Sequence, residues 1–156
     1  MRMLGVDFGR RRIGLAVCDE SATLARPWQT IEAGSSPAVT AERIVALLER
    51  ERRATLDDFV IGGFVVGLPR RLNGEDTNGT AGARALAAAL GTQTGLPVHL
   101  QDERLTSREA ESMLALREPD WRARKKQIDA AAAALVLQDF LDTPPPPGRD
   151  DRPGER

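Results

Sequence analysis

The stretch VDFGRRRIGLAV, Val6 to Val17, joins two β-prone apolar runs through Gly9 and three consecutive arginines, Arg10, Arg11 and Arg12. One carboxylate, Asp7, stands where the first run ends. The pattern reads as strands over residues 2–8 and 12–18 closed by a tight turn. Two uses fit the acid and the arginines: a carboxylate held beside a phosphate, or a plain hairpin with a charged tip.

Working outward, a third strand-like run at Leu24 to Ile31 completes a three-stranded meander. From Thr40 the apolar positions Ile44, Leu47 and Leu48 recur at helical spacing, predicting a helix about 13 residues long. Phe59 to Val66 is a nearly unbroken apolar run, as in a central strand covered on both faces. GLPRRLNGEDT carries loop signals, TAGARALAAAL reads as a second helix, and Leu96 to Leu100 as a fifth strand. Thr106 and Glu109 have the spacing of a capping box for a further helix. After Pro119 and a basic connection, IDAAAAALVLQDFL forms the last helix, with Ile128, Ala131, Ala132 and Leu135 on one face. The order predicts an α/β fold: a five-stranded mixed sheet with helices on both faces, over residues 1–142. Residues 143–156, Pro-rich and charged, are expected to be a disordered tail.

A chain of 156 residues suits one domain with one core. No apolar run approaches the ~20 residues of a membrane span, and the amino terminus enters a strand without a signal-peptide pattern, so a cytoplasmic protein is expected. A single cysteine, Cys18, excludes an intramolecular disulfide, and with a single histidine, His99, there is no means of building a Cys/His zinc site. Cys18 reads as a small buried residue ending the second strand and His99 as a strand side chain. Metal chemistry, if present, uses carboxylates.

Net charge is only −1, with 22 Lys and Arg against 23 Asp and Glu, but the cations are clustered. Arg10–Arg12 form one group, Arg70 and Arg71 a second, and Arg122, Arg124, Lys125 and Lys126 a third. Each alone reads as a solvated face. Together they fit phosphate-backbone binding, which depends on the distribution of charge rather than its total.

Ligands of open α/β sheets gather beyond the carboxyl ends of the strands. Three acids fit that place: Asp7 ending the first strand, Glu103 just past the fifth, and Asp129 in the first turn of the last helix, where the helix dipole also accounts for it. Three converging carboxylates require cations. Hard divalent ions accept such oxygens together with water and phosphate, and two of them can drive phosphodiester hydrolysis without His or Cys.

VDFGRRRIGLAV, FVVGLP (64–69), DERLTS (102–107) and KQIDAAAAALVLQ (126–138) resemble, in order and approximate spacing, the four signature blocks of the YqgF family, pre-16S rRNA nucleases also called RuvX-like Holliday junction resolvases. The resemblance extends to about Leu141. It implies an RNase H-like fold and a catalytic, metal-binding set of Asp7, Glu103 and Asp129, with Mg²⁺ or Mn²⁺ as cofactor. Gly9 would let the backbone approach phosphate, and Arg12, Arg104 and Lys126 would belong to the surrounding charged shell. Asp102 matches the motif too, but adjacent to Glu103 on an extended segment it should point the other way, in a supporting role. Many relatives carry Thr or Ser where this chain has Arg10, exchanging a hydroxyl for a cation. With the three distant blocks beside it, the opening hairpin reads as a metal ligand followed by arginines that face nucleic acid.

The resemblance makes 5′-end processing of pre-16S rRNA, in ribosome biogenesis, the first expectation. Cleavage of branched DNA in recombination and repair is the alternative, and a non-catalytic nucleic-acid-binding factor in transcription a further one. Sugar kinases and actin-like ATPases share a similar Asp-x-Gly hairpin but need two such domains. The partner expected is nucleic acid, structured RNA or branched DNA, with no membrane, and the protein a monomer or homodimer. Trp121 reads as a packing anchor rather than a base-stacking platform, and aromatic residues at 4% argue against extensive stacking.

Overall fold

A computed structural model describes residues 1–69, 77–102 and 121–143, with the backbone alone for Asn78 and residues 121–126. The opening hairpin forms as the sequence indicates, β1 over Arg2–Phe8 and β2 over Arg12–Cys18, followed by β3 over Ala25–Glu32. Helix α1 spans Pro37–Ala54, β4 Ile61–Leu68, α2 Asn78–Thr94, β5 Val98–Asp102 and α3 Trp121–Asp142. The five strands make one sheet in the order β3-β2-β1-β4-β5. β1 pairs antiparallel with β2 and parallel with β4, so the sheet is mixed, and α1 and α2 cover one face while α3 covers the other. No helix among the described residues is long and apolar enough to cross a membrane.

Several boundaries differ from those expected, each for a local reason. α1 starts three residues before Thr40 and runs 18 residues. Ser36 caps it, accepting the Val39 N–H at 3.2 Å, and Pro37 supplies a preset first-turn φ. Phe59 stays outside β4 and packs its ring on Trp28, centroids 5.3 Å apart, and β4 extends instead to Leu68. Pro97 has no N–H and enters the ladder only as an acceptor, from Phe64 N at 3.0 Å, so β5 begins one residue later and ends at Asp102. The largest difference is α3. The basic stretch from Trp121 is helical rather than a connection, as the good helix propensity of Arg, Lys and Ala permits. The capping pair Thr106 and Glu109 and the tail from residue 144 lie outside the described residues.

Alternation along β1 sorts the two faces. Leu4 and Val6 point toward α1 and α2, where with Ile13, Leu15, Ile44, Phe64, Val66, Leu86 and Leu90 they form the main core. Gly5 and Asp7 point the other way. On that face Ala16, Cys18 and Val65 meet Ala133, Val136 and Leu137 of α3. The helix docks through Ala130, Ala133, Val136 and Leu137; of the expected face Ile128, Ala131, Ala132 and Leu135, only Ala132 is buried and the other three remain half-exposed. Residues 130–137 of α3 are all apolar, so periodicity alone does not choose a face there. The sheet chooses it with two glycines. A Cβ on Gly5 would lie 2.8 Å from the carbonyl oxygen of Ala133, and one on Gly14 would lie 1.8 Å from that of Asp129. Backbone rests directly on backbone there.

Cys18 is buried at the end of β2, and the His99 ring packs on Phe140 of α3 with centroids 4.8 Å apart. The far half of α3 is fastened by Gln138, whose Oε1 accepts the Ala25 N–H at 2.9 Å and whose Nε2 donates to the Thr23 carbonyl at 3.0 Å. That same connection is ordered by Asp19, which accepts from the backbone N–H and hydroxyl of Thr23, both at 2.8 Å. The Thr23 amide, then its hydroxyl, hold the Asp19 carboxyl well below the usual carboxylate range.

Gly14→Ala is expected to destabilise the fold by about 1–3 kcal/mol or more, because α3 must retreat from β2. Gln138→Ala should cost about 1–3 kcal/mol, the sum of two net hydrogen bonds, with an unchanged denaturant slope. Both are read by urea unfolding. Since the folded value of Asp19 is the lower one, its stabilisation is complete above the unfolded-chain value of about 3.9 and is lost as pH falls through the folded value. An NMR titration should therefore leave the Thr23 amide shift flat through pH ~3.9 and move it only below.

Candidate active site

The register of the sheet sets Asp7 in a row. Thr30, Gly14, Asp7, Gly67 and Gln101 are successive cross-strand partners from β3 to β5. In-register neighbours present their side chains on one face, with opposed Cα atoms in an antiparallel pair about 4.5–5.5 Å apart. Gln101 shows which face this is, since its side chain reaches Asp139 on α3. Asp7 thus faces α3 as the one charged member of the row, flanked on both sides by glycine. The residue is only 8% exposed.

α3 brings the second acid to the same place. The Asp129 backbone seats on Gly14, the direct partner of Asp7 across the β1–β2 ladder. Two residues before Gly14 and on the same face, Arg12 forms an ion pair with Asp129, Nε to Oδ2 at 3.0 Å. The Asp129 side chain is 23% exposed and Oδ2 itself is shielded from solvent. Asp129 was expected in the first turn of its helix. It lies eight residues, more than two turns, past the start of α3 at Trp121, beyond the reach of the N-terminal dipole. The helix dipole therefore does not account for an acid at this position, and its place opposite Gly14 and beside Arg12 does.

Glu103, Arg104, Arg70 and Arg71 lie outside the described residues. Asp102 closes β5 opposite Leu68, a residue of the main core, which puts it on the α2 side of the sheet, away from Asp7. Gly9 has a structural reason in addition to the expected one: a Cβ there would lie 2.5 Å from the Arg12 carbonyl oxygen, across the tight turn. Arg10 and Arg11 are exposed at the tip, and the Arg11 carbonyl accepts the Ala33 N–H at 2.8 Å, tying the turn to the end of β3. Arg122, Arg124, Lys125 and Lys126 occupy the first turns of α3 by backbone, one to two turns before Asp129, and their side chains lie outside the described residues.

The sequence reading assigned no role to Gly14, Gly67 or Gln138. For Gly14 the signal was present, because a glycine inside a strand pattern marks close backbone approach or a bulge. Among the described residues no cluster of three or more His, Cys, Asp or Glu side chains could hold a metal ion. Asp7 and Asp129, on the same face and next to Gly14, offer only oxygen, a donor set suited to hard divalent ions whose remaining positions are filled by water and phosphate.

Residues 1–143 match the family model described as "RuvX: Holliday junction resolvase". A protein of Anaeromyxobacter dehalogenans named "Putative pre-16S rRNA nuclease" is 43% identical over 142 residues, spanning 91% of this chain and 97% of its own length. One of the same name from Maridesulfovibrio salexigens is 38% identical over 141 residues, 90% and 98% of the two chains. Among solved structures, the fowlpox virus resolvase in complex with Holliday junction DNA covers 90% of this chain and 97% of its own, with a TM-score of 0.53 at 8% identity. That likeness is one of fold, and it agrees with the RNase H-like sheet expected from the sequence. Matched along nearly its whole length by the family model and by relatives at this level of identity, the chain belongs to the RuvX family, the YqgF proteins whose four blocks its sequence carries.

Proposed function

We propose that this protein is a divalent-metal-dependent nuclease that hydrolyses phosphodiester bonds in the 5′ leader of pre-16S rRNA, in the cytoplasm, as part of ribosome biogenesis. The observation that carries the reading is that the Asp129 backbone seats on Gly14, the cross-strand partner of Asp7, with the Arg12 guanidinium paired to the Asp129 side chain. Membership of the family supports nuclease chemistry, and the name shared by its curated relatives supports the RNA.

Asp7 and Asp129, with Glu103 as the third acid, would hold Mg²⁺ or Mn²⁺. When bound, such ions activate water and neutralise charge on the phosphate and the leaving oxygen. The chain's own groups do the rest. Gly14, beside Asp7 on the ladder, lets the α3 backbone close in and bring Asp129 to the same face. Arg12 fixes Asp129 and offers its remaining N–H donors to a phosphate oxygen, a geometry suited to guanidinium. Arg10, Arg11, Arg70, Arg71, Arg104, Arg122, Arg124, Lys125 and Lys126 would bind the backbone on either side, a contribution weakened by salt.

The test compares cleavage of a pre-16S leader RNA and a synthetic four-way DNA junction with Mg²⁺, with Mn²⁺ and with EDTA. Metal-dependent cutting of the leader is expected, and Asp7→Asn should lower it at least about 100-fold, the scale for removing one charged or polar group from a hydrolytic centre, with the melting temperature retained. Unchanged cleavage by Asp7→Asn removes Asp7 from the chemistry. Cutting of the junction with the leader left intact removes the rRNA assignment.

A further inference from the structure

Between the open edge of the sheet and α3 runs a groove of about 720 Å³. Its floor is the edge strand β3 from Pro27 to Glu32, and its wall is formed by Arg12 with Gln127, Ala130 and Ala131. The groove opens onto the candidate active site, because Ala130 and Ala131 follow Asp129 directly and Arg12 is the ion-pair partner of Asp129. Its volume lies within the about 300–1,000 Å³ of small-ligand clefts.

We infer that this groove receives the unpaired nucleotide adjoining the scissile phosphate of a nucleic-acid strand, its base between α3 and β3 and its phosphate at Arg12. The inference rests on the nuclease reading and adds to it the place where the substrate strand leaves the catalytic carboxylates. Three features favour this occupant. The lining is mainly apolar and supplies flat contact for a base, while Arg12 is the one cation among its described residues and sits at the end nearest Asp129. Two alanines on the helix leave height that a larger side chain would close. Gln127 carries an amide donor and acceptor suited to a base edge. Glu32, the one acid among the described lining residues, is the cross-strand neighbour of Arg12.

An edge strand is also a template for strand addition by another polypeptide. This one is blunted. Pro27 lacks an N–H, the β2–β3 register shifts beside it between Leu15 and Ala16, and the strand carries charged Arg26 and Glu32 near its ends. A nucleotide needs no backbone ladder.

The experiment measures binding of a fluorescein-labelled single-stranded RNA decamer by anisotropy in EDTA, for wild type, Ala131→Leu and Gln127→Ala. Ala131→Leu should raise Kd at least about fivefold by filling the groove, and Gln127→Ala, at an exposed helix position that folding tolerates, at least about threefold. Decamers carrying 4-thiouridine should photo-crosslink to residues 27–32 or 127–131. Wild-type affinity in both variants, or crosslinks confined to other segments, overturns the inference. So does a wild type that self-associates in sedimentation while Ala131→Leu does not and RNA affinity is unchanged, since the groove then belongs to a second copy of the chain. If wild type binds through the groove but cuts no RNA with either metal, the nuclease reading fails and the binding site stands. If it cuts RNA and Ala131→Leu binds as wild type, the groove alone fails.

Discussion

Helix α3 lies on the bare backbone of β1 and β2, and the geometry of the site follows from that contact. At Gly5 and Gly14 there is no room for a methyl group between strand and helix. Two glycines nine residues apart in sequence come to the same face because the β1–β2 ladder is antiparallel and alternate residues share a side. They act as paired seats for Ala133 and Asp129, one turn apart on the helix. Gln138 then fastens the far half of the helix to the connection before β3. The helix has one position along its length, and Asp129 reaches the row that contains Asp7.

The two faces of the sheet divide stability and chemistry between them. Large aliphatic side chains and Phe64 point toward α1 and α2 and form the main core. The opposite face carries small residues, Gly5, Gly14, Ala16 and Gly67, and buries less apolar volume per residue. A carboxylate as shielded as Asp7 costs free energy unless cations or donors offset it.

Arg12 links three parts of the molecule. It closes the turn with its carbonyl near Gly9, holds Asp129 with its guanidinium, and walls the groove beside β3. A lysine at this position would carry the charge but not the planar donor set that lets one group face a carboxylate and a phosphate together.

The sequence by itself determined the strands of the opening hairpin, the order of the described elements and the family to which the chain belongs. These depend on alternation, turn residues and motif identity, all of which act over a few neighbouring positions. It misplaced the start of α1, the ends of β4 and the beginning of α3, where Ser36 capping, the Trp28–Phe59 contact and the helix-forming basic run outweighed the apolar pattern. It placed Asp129 at a helix start and exposed the wrong side of that helix. Only the tertiary structure decided these two points, because an alanine-rich helix has no face of its own until the gaps at Gly5 and Gly14 select one, and those gaps exist only once the strands have paired.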